Sequence, residues 1–188
     1  MTPILTPKRQ GCLVHVMGPS GAGKDALIDY ARPRVDPAAV IFSHRFITRP
    51  AEAGGENHIA LSEPGFAARR EAGLFALTWQ SHGFWYGIGA EIDLWLDRGF
   101  VVVVSGSRAA WPQAIARYPN LHGLLIDAPA EIRADRLAAR NREDERAIRA
   151  RLEREVPLPL KGMYRLCNDG PIAAAGEELV KFLQNAAA

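Results

Sequence analysis

Cysteine is scarce: the 188 residues hold two, Cys12 and Cys167. They stand far apart inside apolar runs with no Cys-x-x-Cys spacing, which reads as buried reduced thiols and argues against a disulfide framework or a zinc site. Long apolar runs are missing too, since nothing approaches the ~18 residues needed to cross a bilayer. The first ten residues contain Pro3 and Pro7 and no apolar stretch of signal-peptide length. A soluble, cytoplasmic protein without a membrane partner is the expectation. Charge imbalance is small, 23 Lys and Arg against 21 Asp and Glu for a net +2. That balance does not describe a dedicated nucleic-acid binder, so any anion site has to be local. The five histidines show no His-Glu-x-x-His spacing, and no nucleophile triad is recognisable.

The rest of the composition is that of a globular protein. With 48% apolar and 23% charged residues, wholesale disorder and collagen-like repetition are excluded. At a prior of ~150 residues per domain, residues 1–188 form a single domain with a small insert. Cys12–Met17, Val40–Phe42, Leu121–Ile126 and Tyr164–Cys167 read as short strands. Phe100–Val104 is a β-branched run of the kind buried on both faces of a parallel sheet. Between them lie helical patterns at Asp25–Arg32, Glu91–Arg98, Ala109–Arg117, Ala130–Arg140, Ala147–Glu155 and Ala174–Leu183. Pro112 falls in the first turn of its helix, where a missing N–H costs little. The alternation predicts an α/β fold, a parallel sheet flanked by helices. It breaks over about 48–87, where Ile59–Leu61, Leu74–Trp79 and Phe84–Tyr86 look like strands around a helix at Gly65–Glu71.

The first strand runs into Gly18-Pro19-Ser20-Gly21-Ala22-Gly23-Lys24-Asp25, which fits G-x-x-x-x-G-K with Asp in place of the final Ser or Thr. Glycines there let backbone N–H groups converge on phosphate oxygens, and the helix that follows adds its positive dipole end. Gly18 to Asp25 are therefore the expected ATP-binding residues, with Lys24 reaching the β- and γ-phosphates. Asp25 replaces the hydroxyl that ordinarily ligates Mg²⁺. The strand Phe100–Val104 likewise lacks an acidic end and runs into Ser105-Gly106-Ser107-Arg108. Asp25 is thus expected to supply the metal-supporting carboxylate, the alternative being a helix-start residue with no metal role.

Transfer of a phosphoryl group to an existing phosphate needs cations and positioning rather than a general base, because the attacking oxygen is already anionic. Arg133, Arg136 and Arg140 recur on one helix face with Arg142 in the following bend. They form the expected lid over about 136–149, and Arg136, Arg140 and Arg142 join Lys24 as candidate catalytic residues. The alternative is a solvated helix with pairs such as Glu145–Arg149. Arg45 and Arg49 follow the second strand, at the sheet end where ligands gather in such folds, and are placed to fork onto an acceptor phosphate. Tyr86 is a candidate hydroxyl donor, or else a core aromatic of the insert together with Trp85.

With these residues in place, the chain resembles the guanylate-kinase branch of the P-loop nucleoside monophosphate kinases over almost its whole length. The matching segments are Gly18 to Lys24, Thr48-Arg49-Pro50, His82-Gly83 through Tyr86-Gly87, Arg136-Leu137 with Arg140, and Asn168-Asp169. Within that branch it is similar to the ribose 1,5-bisphosphate phosphokinases of phosphonate breakdown. That closer likeness rests on Gly23-Lys24-Asp25, His44 to Pro50, Glu56 to Ser62, Glu91 to Leu96 and Gly106 to Ala109. The branch pattern puts Leu77 where a guanine-reading glutamate would stand and Ile88 where a second reader hydroxyl would, and neither side chain can hydrogen-bond a base.

The resemblance implies a P-loop NTPase fold with an acceptor-binding insert and an arginine-rich lid. It implies ATP and Mg²⁺, a phosphosugar substrate, and conversion of ribose 1,5-bisphosphate to 5-phosphoribosyl 1-diphosphate. On this reading Asn57, His58, Ser107 and Arg108 contact ribose hydroxyls or the second phosphate, and Asn168 and Asp169 lie beside the ATP base. Two other readings stay open at this point: a guanylate or other nucleotide kinase, and a partner-binding module that kept the fold.

Overall fold

The computed structural model describes residues 10–51, 58–139 and 162–188. The expected Asn57, Arg140 and Arg142, the helix at Ala147–Glu155 and most of the lid over 136–149 lie outside the described residues.

Strand β1 (Cys12–Met17) is the centre of a five-stranded parallel sheet. β7 (Val101–Ser105) pairs on one side and β8 (His122–Asp127) on the other. β2 (Val40–Phe42) and β9 (Tyr164–Cys167) form the edges, giving the order β2-β7-β1-β8-β9. β1 and β7 are almost wholly buried, as continuous apolar runs in a covered parallel sheet must be.

The period-two alternation of β1 sends its side chains to two different cores. Val14 and Val16 join Phe42, Val103, Ile126 and Leu166 under helices α1 (Lys24–Ala31) and α6 (Ile172–Ala186). α6 offers Ala175, Gly176, Leu179, Val180 and Leu183 as one buried stripe, the i, i+4, i+8 pattern of an amphipathic helix. Leu179 and Leu183 are fully buried, each worth about 1.5–3 kcal/mol of transfer free energy.

Leu13 faces the opposite way, into a core with Val102, Val104, Ile92 of α3 (Glu91–Asp97) and Ala114 of α4 (Trp111–Arg117). Ile47, Leu77, Trp79, Tyr86 and Ile88 of a second sheet pack into the same cluster. That sheet has the order β4-β3-β6-β5, from β3 (Arg45–Ile47), β4 (His58–Ala60), β5 (Phe75–Ser81) and β6 (Phe84–Gly89). Helix α2 (Glu63–Glu71) is capped by Ser62, whose hydroxyl accepts the Gly65 N–H. Helix α5 (Ala130–Ala138) follows directly after β8.

Several boundaries differ from the sequence reading. The second sheet begins at Arg45 and ends at Gly89, outside the expected 48–87, because β3 is a three-residue strand set off from β2 by only Ser43 and His44. β7 starts one residue late, since the Phe100 N–H donates to the Trp95 carbonyl and closes the end of α3. Pro112 does lie in the first turn of α4, behind a short 3-10 turn at Arg108–Ala110. The two cysteines form no disulfide, but the expectation that both are buried fails, since Cys12 is half-buried and Cys167 exposed. Cys167 lies on the edge strand β9, where only Leu166 is buried.

Candidate active site

The loop after β1 is wound by two left-handed glycines, Gly21 at φ 81° and Gly23 at φ 87°. Each also admits a neighbour. A Cβ on Gly21 would lie 2.7 Å from the Arg133 carbonyl oxygen of α5, and one on Gly23 would lie 2.4 Å from Asn168 Nδ2. The result is a fixed backbone cradle opening onto the N-terminus of α1, the arrangement that receives phosphate oxygens. Lys24 is the first residue of α1.

Asn168 holds this cradle from behind. It is buried, its Nδ2 donates to the Ala22 carbonyl at 2.9 Å, and its backbone N–H donates to the Asp127 carbonyl at 2.7 Å. Among the described residues its Oδ1 has no hydrogen-bond partner. Where the resemblance put Asn168 beside the base, the structure commits its amide to the loop backbone; Asp169 next to it is exposed. Arg136 Nη1 donates to the Asn168 carbonyl at 3.0 Å, so this arginine sits at the rim of the cradle and ties α5 to the turn after β9. Arg133 Nε donates instead to the Ala128 carbonyl at 3.1 Å, within its own element's start.

Asp25, one residue past Lys24, accepts from two other elements through Oδ1: Arg45 Nη2 at 2.9 Å and Ser105 Oγ at 3.2 Å. Ser105 ends β7. The carboxylate from the loop therefore lies at the strand end where the sequence has no acid of its own, and a hydroxyl stands on the strand. The two groups that P-loop kinases carry as strand acid and loop hydroxyl are present here in exchanged positions. Arg45 is nearly buried, its side chain 8% exposed against 29% for Asp25.

The remaining expected residues cluster around the second sheet and the turn after β7. Arg49 follows β3, and its carbonyl lies 3.1 Å from His58 Nε2 on β4. Arg45 and His58 are register neighbours across β3 and β4. Tyr86 is buried and stacked on Trp79, ring centroids 5.4 Å apart, so its ring belongs to the core of that sheet. Ser107 caps the 3-10 turn that begins at Arg108, its hydroxyl accepting the Ala109 N–H at 3.1 Å. Leu77 and Ile88 are register partners across β5 and β6 and are both fully buried.

Two residues near the site escaped the sequence reading. Ser105 gave no signal beyond ending an apolar run. His15 gave one: a polar residue in the middle of a buried strand. It is fully buried, its Nε2 lies 3.3 Å from the Ser107 carbonyl, and Nδ1 has no hydrogen-bond partner among the described residues. A Cβ on Gly106 would come within 2.2 Å of the ring, so glycine there makes room for it.

Burial lowers the His15 pKa from 6.5 to about 4, against a smaller upward pull from the Ser107 hydrogen bond. The imidazole is then neutral near pH 7, with Nε2–H as donor. Because the unfolded chain binds this proton more tightly, His15 favours folding fully above pH 6.5 and progressively less as pH falls towards 4. The loss over that window is ~3 kcal/mol. Denaturant unfolding of wild type and His15→Gln at pH 7 and pH 4 checks it. The stability difference between them shrinks, or turns in the variant's favour, by that amount at pH 4; an unchanged difference contradicts the assignment.

A glycine-wound phosphate loop between a parallel strand and a helix, with an arginine at its rim, defines a P-loop kinase fold of the guanylate-kinase type. The solved guanylate kinase of Anaplasma phagocytophilum shares this fold with a TM-score of 0.66, covering 96% of this chain and 88% of its own at 14% identity. No protein-family model matches the chain. Ribose 1,5-bisphosphate phosphokinase PhnN of Chromobacterium violaceum is 51% identical over 177 residues, 94% of this chain and 95% of that protein. The protein of the same name from Laribacter hongkongensis is 52% identical over 176 residues, 93% of this chain. The chain spans 43% of that longer relative. The chain belongs to the ribose 1,5-bisphosphate phosphokinase family and is a kinase. No helix among the described residues is long and apolar enough to cross a membrane.

Proposed function

We propose that the chain transfers the γ-phosphoryl group of ATP to the C1 phosphate of ribose 1,5-bisphosphate, giving ADP and 5-phosphoribosyl 1-diphosphate. The observation that carries the choice of acceptor is the Leu77–Ile88 pair. Both side chains are sealed in the core of the second sheet, at the positions where a guanine-binding site needs polar readers. A site built for guanine loses orders of magnitude without them. The names of the relatives at about 50% identity point the same way.

In this reaction an oxygen of the C1 phosphate attacks Pγ, the bond from Pγ to the β,γ-bridging oxygen breaks, and ADP leaves with the electron pair. No base is required, since the attacking oxygen carries no proton that must be removed. The work is to bring two polyanions together and to hold the transferred group in line. Gly18 to Gly23 hold the ATP phosphates by their backbone, Lys24 neutralises the β- and γ-phosphates, and Arg136 approaches from the rim. Arg140 and Arg142 complete the lid in this proposal. Arg45 and Arg49 receive the C1 phosphate, with Tyr86 beside them. Asn57, His58, Ser107 and Arg108 serve the ribose and the second phosphate, and Asp169 faces the nucleotide end.

Mg²⁺ accompanies ATP. The donor set fits it: Asp25 offers a hard carboxylate at the start of α1, and Mg²⁺ takes one or two carboxylates with phosphate oxygens and waters rather than an all-protein cage. When bound, the ion neutralises charge across the β- and γ-phosphates.

ADP release tests the acceptor. Mg-ATP is supplied with ribose 1,5-bisphosphate, ribose 5-phosphate or GMP in turn. Saturable release is expected with the bisphosphate alone, and turnover of GMP at a comparable rate would overturn the Leu77–Ile88 argument.

A further inference from the structure

The ion pair between Asp25 and Arg45 joins the two halves of the site, and it has a consequence for how the acceptor is recognised. Asp25 belongs to the first turn of α1 and directly follows Lys24, so its backbone is part of the ATP-binding element. Arg45 begins β3, the strand that opens the second sheet, and pairs in register with Ile88 and His58. One carboxylate oxygen accepts Arg45 Nη2 at 2.9 Å and Ser105 Oγ at 3.2 Å, so a helix, an acceptor-sheet strand and the end of β7 meet at a single atom.

We infer that Asp25 is a positioning residue for the acceptor: it fixes the Arg45 guanidinium toward the incoming phosphate and thereby couples acceptor recognition to the ATP loop. This deepens the function proposed above and rests on it for the identity of the acceptor.

Three physical points support the role. A long arginine side chain loses substantial rotamer freedom when it binds a phosphate. Holding it in advance against a carboxylate removes that cost from the binding step. The geometry is directional, since a guanidinium carries five N–H donors on a rigid plane. A bond from Nη2 to Asp25 orients that plane. The pair is also shielded, Arg45 being nearly buried, so its attraction is weakened less by solvent than that of a surface pair. A Ser or Thr at position 25, the residue usual in such loops, has no negative charge with which to hold a guanidinium. The Asp25 departure is therefore matched by a specific partner in the acceptor sheet.

The inference separates from a purely metal-supporting role by which substrate responds. The test compares wild type with Asp25→Asn, Asp25→Ala, Arg45→Ala and the Asp25→Ala/Arg45→Ala double variant. Each is measured for acceptor KM, ATP KM, Mg²⁺ dependence and melting temperature. Calorimetric titration of ribose 1,5-bisphosphate without ATP or Mg²⁺ adds a readout independent of turnover.

Asp25→Ala should weaken acceptor binding and raise its KM on the order of 10- to 100-fold, with calorimetry and kinetics agreeing. Asp25→Asn, which keeps the acceptor oxygen but not the charge, should fall between it and wild type. The double variant should be no worse than Arg45→Ala alone, because both changes remove one interaction. Metal-free acceptor binding that Asp25→Ala leaves intact, or a double variant whose losses multiply, overturns the inference. If Asp25→Ala does not fold, the isosteric Asp25→Asn decides by the same two measures. A wild-type chain that neither binds nor phosphorylates ribose 1,5-bisphosphate instead refutes the proposed function; the same variants measured with whichever acceptor it does turn over then decide the positioning role.

Discussion

Replacing Lys24 by methionine is expected to lower kcat on the order of 10²- to 10³-fold, the cost of removing one preorganised group from developing transition-state charge. The side chain stands at the first residue of α1, immediately beyond the left-handed Gly23, and in the proposed function its ammonium neutralises the β- and γ-phosphates of ATP. Charge shifts onto the β,γ-bridging oxygen as that bond breaks, so the cation is worth more in the transition state than in the ground state. The loss should therefore appear mainly in kcat, with ATP KM changed less. Methionine keeps the length and apolar stem of lysine, and the melting temperature should stay within about 3 °C, since a substitution away from the core costs little. Single-turnover kinetics with saturating ATP check the assignment. A variant retaining a tenth or more of the wild-type rate would mean that the loop is not where the chemistry occurs.

Gly23→Ala is expected to damage the loop through two separate effects. Alanine at φ 87° carries the left-handed penalty, about 1–2 kcal/mol. Its Cβ would also stand 2.4 Å from Asn168 Nδ2, on the buried amide that clamps the Ala22 carbonyl. That amide cannot swing away without giving up its 2.9 Å hydrogen bond and leaving a polar group unsatisfied, a further cost of about 1–3 kcal/mol. Together these predict a melting temperature lower by about 5–12 °C for a chain of this size. ATP KM should rise on the order of 100-fold, because the backbone donors are displaced along with the turn. Gly73→Ala is the matched control. Gly73 also has a positive φ, 70°, but nothing among the described residues lies within 4 Å of where its Cβ would be. It should show the conformational penalty alone, with ATP KM unchanged. Equal effects from the two substitutions would refute the clamp.

How far these features were legible in the sequence depends on whether their causes are local. The strand Cys12–Met17, the glycine loop and the helix after it declare themselves through apolar periodicity and backbone chemistry within 20 residues. Pro112 at a helix start and the buried valines of β7 do so as well. β3 does not: Arg45–Ile47 is too short to show a period, and its pairing with β6 is a contact about 40 residues distant. Arg45 was thus recognised as an arginine near the ligand end of the sheet, while its place on a strand and its bond to Asp25 were not. Asn168 shows the same limit. The family resemblance marks it as part of the site, but its commitment to the Ala22 carbonyl, 146 residues away, comes only from the fold. Leu77 and Ile88 were legible as an absence of polar readers, and the register between β5 and β6 adds that they face each other in a sealed core.

The account's central claim is that an existing phosphate on ribose C1 is the attacking group. Phosphorus NMR of the reaction of Mg-ATP with ribose 1,5-bisphosphate tests it most directly. The account predicts that the C1 monophosphate resonance is replaced by two mutually coupled diphosphate resonances, that the C5 phosphate stays a monophosphate, and that ADP appears in equal amount. Growth of GDP from added GMP, or a new diphosphate at C5, would contradict it.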